Sequence, residues 1–128
     1  WDFVLKAACK QLVNEGYVTK EFYNDVLKRE NIEPTAIGNG VAIPHGMPGN
    51  VIKPKVYVIS LKHPLNWGGK MVNVMFLLAL NFNNVTTTKA FFSDFARIVG
   101  SEEKLEKFKK LDNVQKMEQN LKEELHWK

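Results

Sequence analysis

One histidine in this chain stands where its neighbours dictate how it is shown. Residues 34–46 read PTAIGNGVAIPHG and set His45 between Pro44 and Gly46. A neutral imidazole nitrogen is nucleophilic near pH 7, which makes His45 the candidate reactive group. Pro44 fixes its own φ and drives Ile43 toward an extended conformation, and Gly46 is expected to turn the chain with φ > 0 just after the ring. Gly38 and Gly40 remove side chains from a turn upstream. Val41 and Ile43, two residues apart, are expected to point into a core while Ala42 points the other way. The stretch therefore reads as a short strand delivering a histidine to a surface pocket.

Other reactive residues carry less. His63 and His126 are far apart and expected to be exposed, so the three histidines show no metal-ligand spacing, and no metal or other cofactor is expected. Gly38-Asn39-Gly40 lacks the third glycine of a dinucleotide fingerprint, and no Gly-Lys-Ser/Thr follows it. The single cysteine, Cys9, cannot form an internal disulfide, lies in the middle of a helical pattern and reads as a small buried hydrophobe.

The elements that must position His45 follow from periodicity. Leu5, Ala8 and Leu12 recur at helical spacing from Asp2, and Gly16 ends that helix. Thr19 is expected to cap a second helix with Phe22, Tyr23, Val26 and Leu27 on one face, running to Arg29 or Glu30. Pro48-Gly49-Asn50 and Pro54 mark an exposed connection. The alternating, β-branched 55–61 segment reads as a strand, Asn66-Trp67-Gly68-Gly69 as a turn, and 72–80 as a central strand buried on both faces. Three further helices are expected. One runs from Thr87 or Thr88 to Val99 with Phe91, Phe92, Phe95, Ile98 and Val99 inward. The second is capped by Ser101, with Leu105, Phe108 and Leu111 inward, and the third starts near Asn113. This order predicts an α/β fold, a small mixed β-sheet sandwiched between helices.

Length and composition fit that picture. At 128 residues and 45% hydrophobic the chain suits a single domain, 1–128. No apolar run approaches the roughly 20 residues of a membrane-spanning helix, and the N-terminus lacks the layout of a signal peptide, so a cytoplasmic protein without membrane insertion is expected. The chain opens at Trp1 without an initiator methionine, as a piece of a longer protein would. Residues 101–128 hold seven Lys and seven Asp or Glu, so the whole net charge of +4 belongs to residues 1–100. A mildly basic face suits an anion such as phosphate, but without an Arg-rich run it gives little support for direct nucleic-acid binding.

Arg29-Glu30, Pro34-Thr35, Gly38-x-Gly40-x-Ala42-Ile43-Pro44-His45-Gly46 and the later LLAL segment together resemble the IIA domain of the fructose/mannitol class of the bacterial sugar phosphotransferase system. The similarity spans nearly the whole chain and is sharpest over residues 29–46. It implies that His45 accepts a phosphoryl group from the phosphocarrier HPr and that a IIB domain receives it. The resemblance also implies a mixed sheet flanked by helices, Arg29 as the electrostatic partner of the phosphate, and Nε2 as the modified nitrogen. Such transfer needs in-line placement and charge compensation. Backbone N–H groups from Gly40 to Gly46 can cradle the phosphate, and Arg29 supplies a guanidinium fork.

In mannitol-type members a second histidine opens the helix after the LLAL strand. Here Thr88 takes that place, able to donate a hydrogen bond to a phosphoryl oxygen but not to carry charge. This departure favours the IIA-like modules of transcriptional regulators and antiterminators, in which regulatory domains of the same polypeptide would be partners. Two alternatives stay open: a phosphocarrier of sugar uptake that passes phosphate to IIB, and an interaction module that lost the chemistry.

Overall fold

The computed structural model describes residues 1–81 together with 90, 91, 93–95, 97, 101 and 103. The chain divides into two compact units, Trp1–Asn81 and Phe82–Lys128. His45 lies in the first.

Helix α1, Asp2–Asn14, buries Leu5, Ala8, Cys9 and Leu12 along one stripe. It ends as expected at Gly16, whose φ of +81° lets the Tyr17 N–H turn back to the Leu12 carbonyl at 3.0 Å. Helix α2, Phe22–Ile32, starts later and runs further than its periodicity suggested. Thr19 does not cap it with its side chain: the hydroxyl donates to Asn50 Oδ1 at 3.0 Å. A tertiary partner has displaced the local cap, and the Thr19 carbonyl instead accepts the Phe22 N–H at 3.1 Å.

Four strands form one mixed sheet: β1 (Ala36–Gly38), β2 (Val41–Ala42), β3 (Lys55–Trp67) and β4 (Lys70–Ala79), in the order β1-β2-β4-β3. β1 and β2 form a tight antiparallel hairpin around Gly38, Asn39 and Gly40, all with positive φ. β4 lies between β2, to which it is parallel, and β3, to which it is antiparallel. That interior position accounts for its continuous apolar run. β3 is longer than the 55–61 segment, continuing past an irregularity between Ser60 and Leu65 to Trp67. Trp67 is thus a buried strand residue, and the turn itself is Gly68-Gly69, with φ of +61° and +93°.

The expected inward and outward alternation of β2 does not hold. Val41 and Ala42 are both 0% exposed, whereas Ile43 is only half-buried. A strand paired inside the sheet can be covered on both faces, so alternation ceases to report direction.

In the second unit, the described positions 90, 91, 93–95 and 97 are helical, and the rings of Phe91 and Phe95 stack 5.9 Å apart. Thr88 lies outside the described residues, as do the two helices expected after residue 101 except for position 103, which is helical. Among the described residues, no helix is long and apolar enough to cross a membrane.

Candidate functional site

The loop carrying His45 leaves β2 along the side of β4 and is pinned on both flanks. On one, the Ile43 N–H donates to the Thr35 carbonyl at 3.2 Å. On the other, the Leu78 N–H donates to the Pro44 carbonyl at 2.9 Å, and His45 bridges Leu78 in parallel register. The Pro44 ring is buried, so the residue before the histidine belongs to the core.

Beyond the histidine, Pro48–Asn50 forms one 3-10 turn, exposed at Pro48 and Gly49. Asn50 then ties the segment to the helices. Its carbonyl accepts the Thr19 N–H at 2.9 Å, and its side-chain amide donates to Asp25 of α2. The next residues dock on the α1–α2 connection through the Ile52 N–H, 2.8 Å from the Tyr17 carbonyl. The ring is therefore presented from a backbone fastened at residues 43, 44 and 50.

Gly46 takes a different part from the one expected. Its φ is not positive. A Cβ there would lie 2.6 Å from Cε2 and 2.9 Å from Cδ2 of Phe22, and 3.1 Å from Cγ2 of Val26. The glycine is needed because the loop lies directly against α2, and the reason is packing instead of handedness.

Gly40 does not reach the imidazole. Its carbonyl accepts the Asn73 and Val74 N–H groups at 2.8 and 3.0 Å, whereas His45 is level with Leu78, five residues further along β4. At about 3.3 Å per residue that separation is about 16 Å. Gly40 serves the hairpin: its φ is +78°, and a Cβ would sit 2.6 Å from Asn73 Oδ1. The cradle expected from Gly40 to Gly46 thus loses its first member, because the extended β2 carries the two glycines apart.

The imidazole is half-buried, with Nδ1 3.1 Å from the Ile43 carbonyl oxygen. A carbonyl can only accept, so Nδ1 carries the proton and the lone pair is left on Nε2. Burial lowers the His45 pKa below its ordinary 6.5; the bond to Ile43 opposes that shift, the Arg29 charge adds to it, and the Glu30 charge opposes it. The ring is neutral at pH 7, the nucleophilic form.

Arg29 is partly buried near the end of α2, close enough for its charge to act on His45. One Nη1 donates to the Glu33 carbonyl at 2.7 Å, closing the C-terminus of the helix. A guanidinium has five N–H donors, so this capping bond still leaves the fork able to meet an anion.

The sequence reading put Glu30 in the motif and Trp67 in a turn but gave neither a part in the site. Glu30 is only 3% exposed, and its carboxylate accepts from the Thr35 N–H at 3.0 Å, the Thr35 hydroxyl and the Trp67 Nε1–H at 3.0 Å. Three donors thus converge on its two oxygens. The available signal was an acid in register with the buried positions Phe22 and Val26 on α2, which implies a partner. His63 is exposed, and Cys9 is a buried free thiol whose pKa burial pushes up to about 12, as suits a core residue.

Transcriptional regulator ManR of Bacillus subtilis is 33% identical over 103 residues, covering 80% of this chain but 16% of ManR. The mannitol-specific phosphotransferase enzyme IIA component of Halalkalibacterium halodurans is 30% identical over 116 residues, covering 88% of this chain and 78% of that protein. In the solved complex of enzyme IIAMTL and phosphorylated enzyme IIBMTL from Escherichia coli, the similar chain has a TM-score of 0.72 and 21% identity over 99% of this chain and 88% of that one, a likeness of fold. The family model described as phosphoenolpyruvate-dependent sugar phosphotransferase system, EIIA 2, matches residues 1–124, and the chain belongs to that family.

Proposed function

We propose that the chain is a histidine phosphoacceptor domain whose His45 takes a phosphoryl group on Nε2 from phosphorylated HPr. The observation that carries this reading is the 3.1 Å contact between Nδ1 and the Ile43 carbonyl in a ring held neutral by burial. The Nε2 lone pair forms the new bond to phosphorus while the bond from phosphorus to its donor breaks, and that electron pair leaves with the donor. The proton on Nδ1 stays in place against the Ile43 carbonyl. Arg29 offsets charge on the equatorial oxygens, and the Gly46 backbone N–H belongs to the cradle.

The match over residues 1–124 supports a single IIA domain, which we place in the cytoplasm. Similarity to ManR, of which the chain spans 16%, supports a regulatory module within a larger sugar-responsive protein. A second reading, a phosphocarrier delivering phosphate to a IIB domain, draws on the mannitol IIA component, 78% of which is covered, and on the solved IIA–IIB complex.

Incubation with phosphorylated HPr tests the proposal. Label is expected on the wild type and none on His45→Ala. An unlabelled wild type, or a labelled His45→Ala, would overturn it. Arg29→Ala should slow labelling while the domain stays folded, and rapid passage of the label to IIB would favour the phosphocarrier.

A further inference from the structure

A continuous chain of hydrogen bonds runs from a buried acid to the reactive ring. Glu30 on α2 accepts both the N–H and the hydroxyl of Thr35, so the Thr35 peptide and side chain are held together. The Thr35 carbonyl accepts the Ile43 N–H at 3.2 Å, and the Ile43 carbonyl lies 3.1 Å from His45 Nδ1. Trp67, 37 residues along the chain, locks the acid by donating Nε1–H at 3.0 Å.

We propose that Glu30 is a positioning residue for phosphoryl transfer: through Thr35 and Ile43 it holds His45 as the Nδ1–H tautomer and so presents Nε2 as the nucleophile. The inference rests on the reading of His45 as the phosphoacceptor. Glu30 touches neither the ring nor the phosphate.

A carbonyl reaches Nδ1 only if its peptide plane is turned the right way; the Ile43 carbonyl lies in the Ile43–Pro44 plane, one Cα beyond the Ile43 N–H that the Thr35 carbonyl holds. Thr35 in turn gives both of its donors to one acid, and a charged acceptor polarises the donors that follow. A glutamine at position 30 keeps one oxygen for the Thr35 and Trp67 N–H groups but meets the Thr35 hydroxyl with an N–H, so it reverses that bond and removes the charge. The weaker hold lets the Thr35 segment shift, and the shift passes through the Thr35 carbonyl and the Ile43 N–H to the backbone that aims the Ile43 carbonyl at Nδ1. The ring is then released to the other tautomer, whose Nε2 carries the proton and cannot attack. No proton leaves the protein during transfer in the native arrangement: Nε2 gains the phosphoryl group, and Nδ1 keeps its hydrogen.

Long-range proton–nitrogen NMR of the histidine-labelled, unphosphorylated protein, recorded above the pH at which the ring titrates, reads the tautomer directly. It needs no phosphoryl donor, so it stands or falls apart from the labelling experiment. Wild type should show Nδ1–H at His45. Glu30→Gln should show a substantial Nε2–H population, with labelling by phosphorylated HPr slowed about tenfold to a hundredfold. Thr35→Val, which keeps the Thr35 peptide but removes its hydroxyl, should shift the tautomer the same way but less, and Thr35→Ser should restore the wild-type spectrum. Val58→Ala, a truncation in β3, lowers stability without touching the chain of bonds and should leave the tautomer unchanged. A wild-type tautomer in folded Glu30→Gln, or in Thr35→Val if the first variant does not fold, would overturn the proposal. So would an equal shift in Val58→Ala.

Discussion

Gly46→Ala isolates the contact that seats the histidine loop. The added Cβ would lie 2.6 Å from Phe22 Cε2, 2.9 Å from Cδ2 and 3.1 Å from Val26 Cγ2. Carbon atoms rest at about 3.5–4.0 Å, so loop and ring must separate by about 1 Å. Phe22 and Val26 are both 0% exposed, so neither can swing out into solvent without leaving the core. Overpacking of this kind costs about 1–3 kcal/mol. Gly46 is not left-handed, so the effect is steric, and it should be visible as a lower urea midpoint with an unchanged slope.

Phe22→Leu deletes the closest ring atom and should act as a partial rescue. The double variant is then more stable than the sum of the singles predicts, by about 1 kcal/mol or more. Because the strained residue follows His45, labelling by phosphorylated HPr should also fall, toward the roughly hundredfold loss that a 1 Å misplacement can bring. A Gly46→Ala protein within about 0.5 kcal/mol of wild type, or strictly additive singles, would refute the packing argument.

Further outcomes follow from charge and burial. The folded His45 has a pKa below 6.5, so the unfolded chain binds the proton first as pH falls. The stability His45 contributes is present above 6.5 and is lost as pH drops through the folded value. An NMR titration should show a midpoint under 6.5 that moves upward in Arg29→Ala, where a cation opposing protonation has gone; a downward move would contradict the assigned proximity. Cys9, 1% exposed with its pKa pushed up to about 12, should react with iodoacetamide only on the timescale of unfolding. The protein should also lose stability as pH rises above 9.0, where the unfolded thiol ionises first. Rapid alkylation of the native protein would show the thiol to be accessible.

Much of the first unit was legible because its signals are short-ranged. Leu5, Ala8 and Leu12 mark α1, the glycines at 38 and 40 mark a turn, and the apolar run at 72–80 marks β4, each through the sterics of neighbouring residues. Thr19 shows the limit of such signals. Its type suits a helix cap, yet Asn50, 31 residues away, takes its hydroxyl. Gly46 shows another limit, since sequence alone cannot separate a glycine that turns from a glycine that makes room. Gly40 was placed near the phosphate on closeness in sequence, and an extended β2 defeats that inference.

The sequence by itself determined that one histidine is shown by its own backbone neighbours and that two helices and a mixed sheet surround it, because proline, glycine and side-chain period act within a few residues. Only the tertiary structure decided which ring nitrogen keeps the proton, why position 46 admits no side chain, and that Glu30 joins α2, Thr35 and Trp67 behind the reactive loop. Those features depend on contacts between residues distant along the chain, such as the 37 positions from Glu30 to Trp67. Hydrogen-bond direction and steric fit exist only once the chain has brought such residues together.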